Sequence, residues 1–148
     1  MKLLYVFILG VLLVSCDKTT PKLSNFTISD RNSAEGIKVM DGVIYFASEK
    51  AGTISKDFQV KDINGNTVAT YEKNMIVFAK NTGLNVPIKP DGEIDLDGAR
   101  VYWDKEGRLW KDEVMSEYKL TPVNPDSNLA ASIAFYLYFN YSAPSDEM

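Results

Sequence analysis

Acidic residues or asparagine stand directly before glycine at Asp41-Gly42, Asn64-Gly65, Asp91-Gly92, Asp97-Gly98 and Glu106-Gly107. Glycine adopts positive φ without steric penalty, and Asp and Asn tolerate it better than most residues, so such pairs mark chain reversals. Between them lie short runs in which apolar and polar residues alternate. A period of two, broken at short intervals by turns, specifies antiparallel hairpins. The candidate strands are Leu23 to Ser29, Ile37 to Met40, Val43 to Ala47, Phe58 to Lys61, Thr67 to Tyr71, Met75 to Ala79, Ile94 to Leu96, Ala99 to Trp103, Arg108 to Trp110 and Ser132 to Tyr141. No long stretch carries a 3.6-residue period, although Asn124 to Ala131 has room for one helical turn. The expected fold is all-β: a small antiparallel sandwich or barrel built from short hairpins, with room for one short helix.

The segment from Glu93 to Trp110 predicts its own register. A two-residue turn at Asp97-Gly98 pairs Leu96 with Ala99, Asp95 with Arg100 and Ile94 with Val101. A type I turn at Asp104-Lys-Glu-Gly107, with the glycine left-handed, pairs Asp104 with Arg108, Trp103 with Leu109 and Tyr102 with Trp110. One face then collects Ile94, Leu96, Ala99, Val101, Trp103 and Leu109, a core face. The other collects Glu93, Asp95, Arg100, Tyr102, Asp104, Arg108 and Trp110. Asp62-Ile-Asn-Gly65 has the same turn form and predicts a pairing of Val60 with Val68. Leu84 to Ile88 alternates but contains Pro87, which lacks a donor and so suits an edge strand.

Ile133 to Tyr141 is apolar on both faces. That suits a central strand covered on each side, with a buried helix as the alternative, because a short apolar run does not settle the period. The polar tail, Ser142 to Met148, is expected to fray.

The first residues carry an address. Lys2 supplies one charge, and Leu3 to Val14 is apolar apart from Gly10. A basic start followed by an apolar stretch this short reads as a secretory leader, because a membrane-spanning helix needs about 20 apolar residues. The stretch ends in Leu13-Val14-Ser15-Cys16, and Cys16 is the only cysteine. These four residues resemble the lipobox of bacterial lipoproteins. The resemblance covers the first 16 residues alone. It implies diacylglycerol on the Cys16 sulfur, cleavage of residues 1–15 by signal peptidase II, and anchoring to a membrane of the cell envelope, with the domain facing the periplasm or the exterior. More than one acyl chain holds far more firmly than one. Residues 16–22 form a short polar tether that reaches only about 20 Å. Residues 23–141 are expected to form a single β-rich domain.

Composition removes several activities. The chain has no histidine, which excludes Ser-His-Asp and Cys-His catalysis and histidine-ligated zinc. The formal charge of −4 becomes −5 once Lys2 leaves with the leader, and an acidic chain without a basic stripe is a poor partner for nucleic acid. Neither G-x-x-x-x-G-K nor G-x-G-x-x-G occurs, and no cofactor is expected.

Two constellations remain. Tyr102 and Trp110, flanked by Arg100 and Arg108, form a candidate binding patch, because exposed aromatics and arginines carry much of the energy of recognition. Glu93, Asp95, Asp97 and Asp104 approach a calcium loop, but Glu stands first and Asp last where the pattern needs Asp and Glu, and strand alternation explains their spacing equally well. Together these readings lead to the expectation of a lipid-anchored envelope lipoprotein that acts without catalysis, as an adaptor or inhibitor engaging an envelope protein. The alternatives are a β domain that binds a small ligand or glycan, a carboxylate-dependent hydrolase, and a purely structural envelope lipoprotein.

Overall fold

The computed structural model describes residues 21–31, 36–80 and 85–140. Twelve strands form one antiparallel sheet. They are β1 (Phe26–Ser29), β2 (Ile37–Met40), β3 (Val43–Phe46), β4 (Glu49–Ile54), β5 (Val60–Asp62), β6 (Thr67–Glu72), β7 (Met75–Phe78), β8 (Asn85–Pro87), β9 (Ile94–Leu96), β10 (Ala99–Trp103), β11 (Arg108–Lys111) and β12 (Val114–Thr121). Each strand pairs with its neighbour in sequence up to β8, β9 resumes the meander, and β12 closes against β1. Between β8 and β9 a single bridge, Ile88 to Ile94, joins the two ends of the sheet. The result is a nearly closed barrel. Pro87 sits on the edge strand beside this seam, where its missing N–H breaks no ladder bond.

The turns explain the topology. Asp41-Gly42 (φ +49°, +78°) and Asp97-Gly98 (φ +52°, +90°) make left-handed two-residue reversals. Ala47-Ser48 and Lys73-Asn74 do the same without glycine. A second type of turn occurs four times, at Ser55–Phe58, Asp62–Gly65, Lys89–Gly92 and Asp104–Gly107. In each, the fourth residue's N–H donates to the first residue's carbonyl at 2.9–3.1 Å. Two are reinforced by an aspartate: Asp62 Oδ1 accepts from the N–H groups of Asn64 and Asn66, and Asp104 Oδ1 from those of Glu106 and Arg108, all at 2.9 Å.

The register expected for Glu93 to Trp110 is observed: Leu96–Ala99, Asp95–Arg100, Ile94–Val101, Trp103–Leu109 and Tyr102–Trp110 are partners. Val60, however, pairs with Ala69 rather than Val68, because a bulge next to Lys61 shifts the ladder by one. Two strands, β4 and β12, have no counterpart among the sequence candidates.

The largest correction concerns Ser132 to Tyr141. The described part of this segment is helical, not extended. After a 3₁₀ turn (Pro125–Ser127), α1 runs Asn128–Phe135 and continues as a π-helical turn, Tyr136–Asn140. The Asn124 side chain accepts from the Asp126 N–H at 3.0 Å and Pro125 opens the turn, both good start signals for a helix. Leu129 to Phe135 are all buried. A helix that is apolar all round belongs in an interior, and this one lies in the interior that the strands enclose. Every strand sends at least one buried apolar side chain inward, β4 through Ile54 at its last position. At one mouth Phe135 and Phe139 pack with Tyr118, and Phe139 also with Phe46, at ring separations of 4.9–5.7 Å.

One polar relay fastens the helix to the wall. The Trp103 indole N–H donates to Ser132 Oγ at 2.9 Å, and Ser132 Oγ donates to the Gly92 carbonyl at 2.5 Å. Both side chains are buried. Ser132→Ala leaves the indole N–H without a partner and should lower stability by about 1–3 kcal/mol. Chemical denaturation checks this; an unchanged midpoint would mean that water replaces the hydroxyl.

Candidate functional site

Strands β9, β10 and β11 present the charged face foreseen in the sequence. Glu93 is its first centre. The Arg100 guanidinium grips it with Nε at 3.2 Å and Nη2 at 2.8 Å, and Lys89 Nζ lies 2.7 Å away. Hydrogen bonds from Arg100 and then Lys89 hold the Glu93 carboxyl down at about 2. Its folded pKa is depressed, so this contribution to stability is present above the unfolded value and is lost as pH falls through the range from about 4.5 to 2. Glu93→Gln should therefore flatten the acid limb of a stability-against-pH curve across that window. Unchanged steepness would show that other carboxylates dominate it.

Asp104 is the second centre. Its Oδ2 accepts from Arg108 Nε and from the Trp110 indole N–H, each at 2.8 Å. Burial pushes this carboxyl up, but hydrogen bonds from Arg108, Trp110 and Glu106 outweigh it and leave it lowered. Arg108 also bonds Glu106 at 3.1 Å. The guanidinium carbon of Arg100 lies 5.2 Å from the centre of the Tyr102 ring, and that of Arg108 lies 6.0 Å from Trp110, within cation–π range. The two aromatics are cross-strand partners, half-buried under these side chains.

An arginine thus lies over each ring, and hydrogen bonds lower both the Glu93 and the Asp104 carboxyls.

The structure extends the patch in one direction. Met115 of β12 stands opposite Trp110, so Tyr102, Trp110 and Met115 form a row across three strands. Met115 is 45% exposed, and its neighbour Val114, at the tip of the β11–β12 hairpin, is 70% exposed. Sequence reasoning passed over both. The signal was present in Ser116-Glu-Tyr-Lys-Leu-Thr121, which alternates cleanly.

The calcium pattern does not assemble. Glu93 and Asp104 are engaged by arginines, Asp95 Oδ1 accepts from the Gly98 N–H at 2.8 Å, and Asp97 is a left-handed turn residue. Among the described residues no group of three or more acidic, histidine or cysteine side chains could hold a metal ion. Helix α1 occupies the interior, and two of the hollows lie beside the seam. One of about 500 Å³ is lined by Asn74, Pro87, Ile88, Lys89, Glu93 and Arg100 among others.

Cys16 and the leader lie outside the described residues, as does the tail, Ser142 to Met148. Near the start of the described chain, the Lys22 N–H donates to the Asp126 carbonyl at 2.9 Å, and the Ser24 and Ser127 hydroxyls are hydrogen-bonded. The chain therefore enters at the barrel mouth that carries the turns at 41–42, 55–58, 73–74, 89–92 and 104–107. The β11–β12 tip, with Val114 and Met115, stands at the opposite mouth. No family model, no curated protein sequence and no solved structure matches this chain.

Proposed function

We propose that this chain is a lipid-anchored envelope lipoprotein whose barrel acts as a non-catalytic binding module, engaging an envelope protein through its outer surface. The observation that carries this reading is the filling of the barrel by its own C-terminal helix. A barrel that holds a ligand keeps its interior open; this one spends its interior on its own chain and leaves the outside for recognition. The row Tyr102, Trp110 and Met115 is an apolar strip on the charged face, with the exposed Val114 at the adjoining hairpin tip. A short tether leaving the opposite mouth would turn the β11–β12 tip away from the membrane.

The test is chemical crosslinking of the full-length lipidated protein in its native envelope, followed by capture and mass spectrometry. Three forms are compared: the native chain, Cys16→Ser and Met115→Asp. One partner recovered at near-stoichiometric yield, reduced several-fold by Cys16→Ser and by Met115→Asp, is the expected result. Recovery of abundant background proteins alone would overturn the binding reading. Full membrane retention of Cys16→Ser after alkaline washing would overturn the anchor.

A further inference from the structure

We propose that Asn64 is a site of spontaneous covalent modification, converting to aspartate and isoaspartate through a cyclic imide with Gly65. The inference stands apart from the lipoprotein reading.

The chemistry needs an asparagine whose side-chain carbonyl carbon can be reached by the next residue's backbone nitrogen. Glycine as that next residue removes the side chain that would block the approach. The Gly65 nitrogen attacks Asn64 Cγ and gives up its proton. The Cγ–Nδ2 bond breaks, and ammonia leaves with that proton. Water then opens the ring. Cleavage at the Cγ side yields aspartate with the normal backbone; cleavage at the α-carbonyl yields isoaspartate, with the chain routed through Cβ. No oxidant or cofactor enters.

The structure separates Asn64-Gly65 from the similar pairs. Gly92 is packed against the backbone of Asn128, and a Cβ built on Gly42 would lie 2.8 Å from the Ile54 carbonyl oxygen. The Gly98 N–H is held by Asp95. Those three glycines also follow aspartates, which have no side-chain amide to lose as ammonia. Gly65, by contrast, has no atom within 4 Å of where a Cβ would stand. Ile63, Asn64, Gly65 and Asn66 are all exposed. The one bond that ties the nucleophile, from the Gly65 N–H to the Asp62 carbonyl, is 3.1 Å, the longest of the four equivalent turn bonds. Opening an exposed turn of this kind requires little free energy. The product adds a carboxylate beside Asp62, whose own carboxyl is held low by hydrogen bonds from Asn66 and Asn64. Isoaspartate further lengthens the backbone between β5 and β6. An ageing molecule thus acquires a charge-shifted, reshaped turn at the mouth opposite the chain entry.

The test is prolonged incubation of the folded full-length protein at physiological temperature and mildly alkaline pH. Tryptic peptide mass spectrometry then follows the Asp62 to Lys73 peptide, in which Asn66 serves as an internal comparator. The expected result is the mass gain of amide-to-acid conversion at Asn64, several-fold faster than at Asn66, which Thr67 follows, and with an isoaspartyl fraction. Asn64→Gln should abolish the charge-shifted form seen by ion exchange. Modification at Asn64 no faster than at Asn66 would overturn the proposal. So would modification confined to the denatured chain, because the turn bond would then protect the site.

Discussion

Leu129→Ala will destabilise the protein by about 3–5 kcal/mol, the upper part of the range for buried leucines. Leu129 is 0% exposed and lies in the first turn of the helix that fills the barrel. A cavity opened there cannot close easily. The walls are hydrogen-bonded strands that would have to break their ladders to move inward, and the next helix residues, Ala130 and Ala131, are too small to fill the gap. The measurement is urea unfolding followed by circular dichroism, with Ile63→Ala as control. Ile63 is 63% exposed on the Asp62–Gly65 turn, and its truncation should change stability by no more than about 0.5 kcal/mol. A loss below about 1 kcal/mol for Leu129→Ala would show that the helix is not an integral part of the core.

Gly92→Ala and Gly98→Ala form a matched pair. Both glycines are left-handed turn residues, at φ +86° and +90°. Each substitution therefore carries the left-handed penalty of about 1–2 kcal/mol. At Gly98 that is all, because nothing lies within 4 Å of the new methyl group. At Gly92 the methyl would stand 2.5 Å from the Asn128 carbonyl oxygen, at the start of α1. It would also displace the Gly92 carbonyl that accepts from Ser132. Gly92→Ala should thus cost at least about 2 kcal/mol more than Gly98→Ala. Equal losses in a parallel denaturation series would mean that the helix start shifts freely, and that the relay through Ser132 to Trp103 does not hold it.

Local signals were enough wherever a turn and its flanking strands agreed. From Glu93 to Trp110 the Asp-Gly and Asp-x-x-Gly turns fix the loop lengths, and a loop of known length leaves one register. The same rule slipped at Val60, because a bulge is set by strand twist and not by the turn residues. Strand β4 was hidden for two reasons. Its hairpin turns at Ala47-Ser48, which carries no glycine, and it places Gly52 inward where an apolar side chain would have marked the face. A Cβ on Gly52 would run into the Lys61 carbonyl and approach the Tyr138 hydroxyl, so the glycine makes room for the neighbouring strand and the helix.

The candidate site was legible in its members and not in its state. Tyr102, Trp110, Arg100 and Arg108 were placed on one face by alternation alone. That each arginine would pair with an acid and lie over a ring depended on side-chain geometry. Met115 joined the row only because β12 lies next to β11, a neighbour separated from it by one short turn.

The sequence by itself determined the all-β class, the hairpin-by-hairpin meander and the charged outer face, because turn residues and period-two alternation act over a few residues. The tertiary structure decided the rest. Residues 133–139 are apolar on every side, and such a stretch satisfies a covered strand and a buried helix equally. Twelve strands, joined β1 to β12 and nearly closed at β8 and β9, enclose a column that must be filled. An α-helix meets its own backbone hydrogen-bonding needs there without a ladder partner, and a thirteenth strand inside the barrel could not.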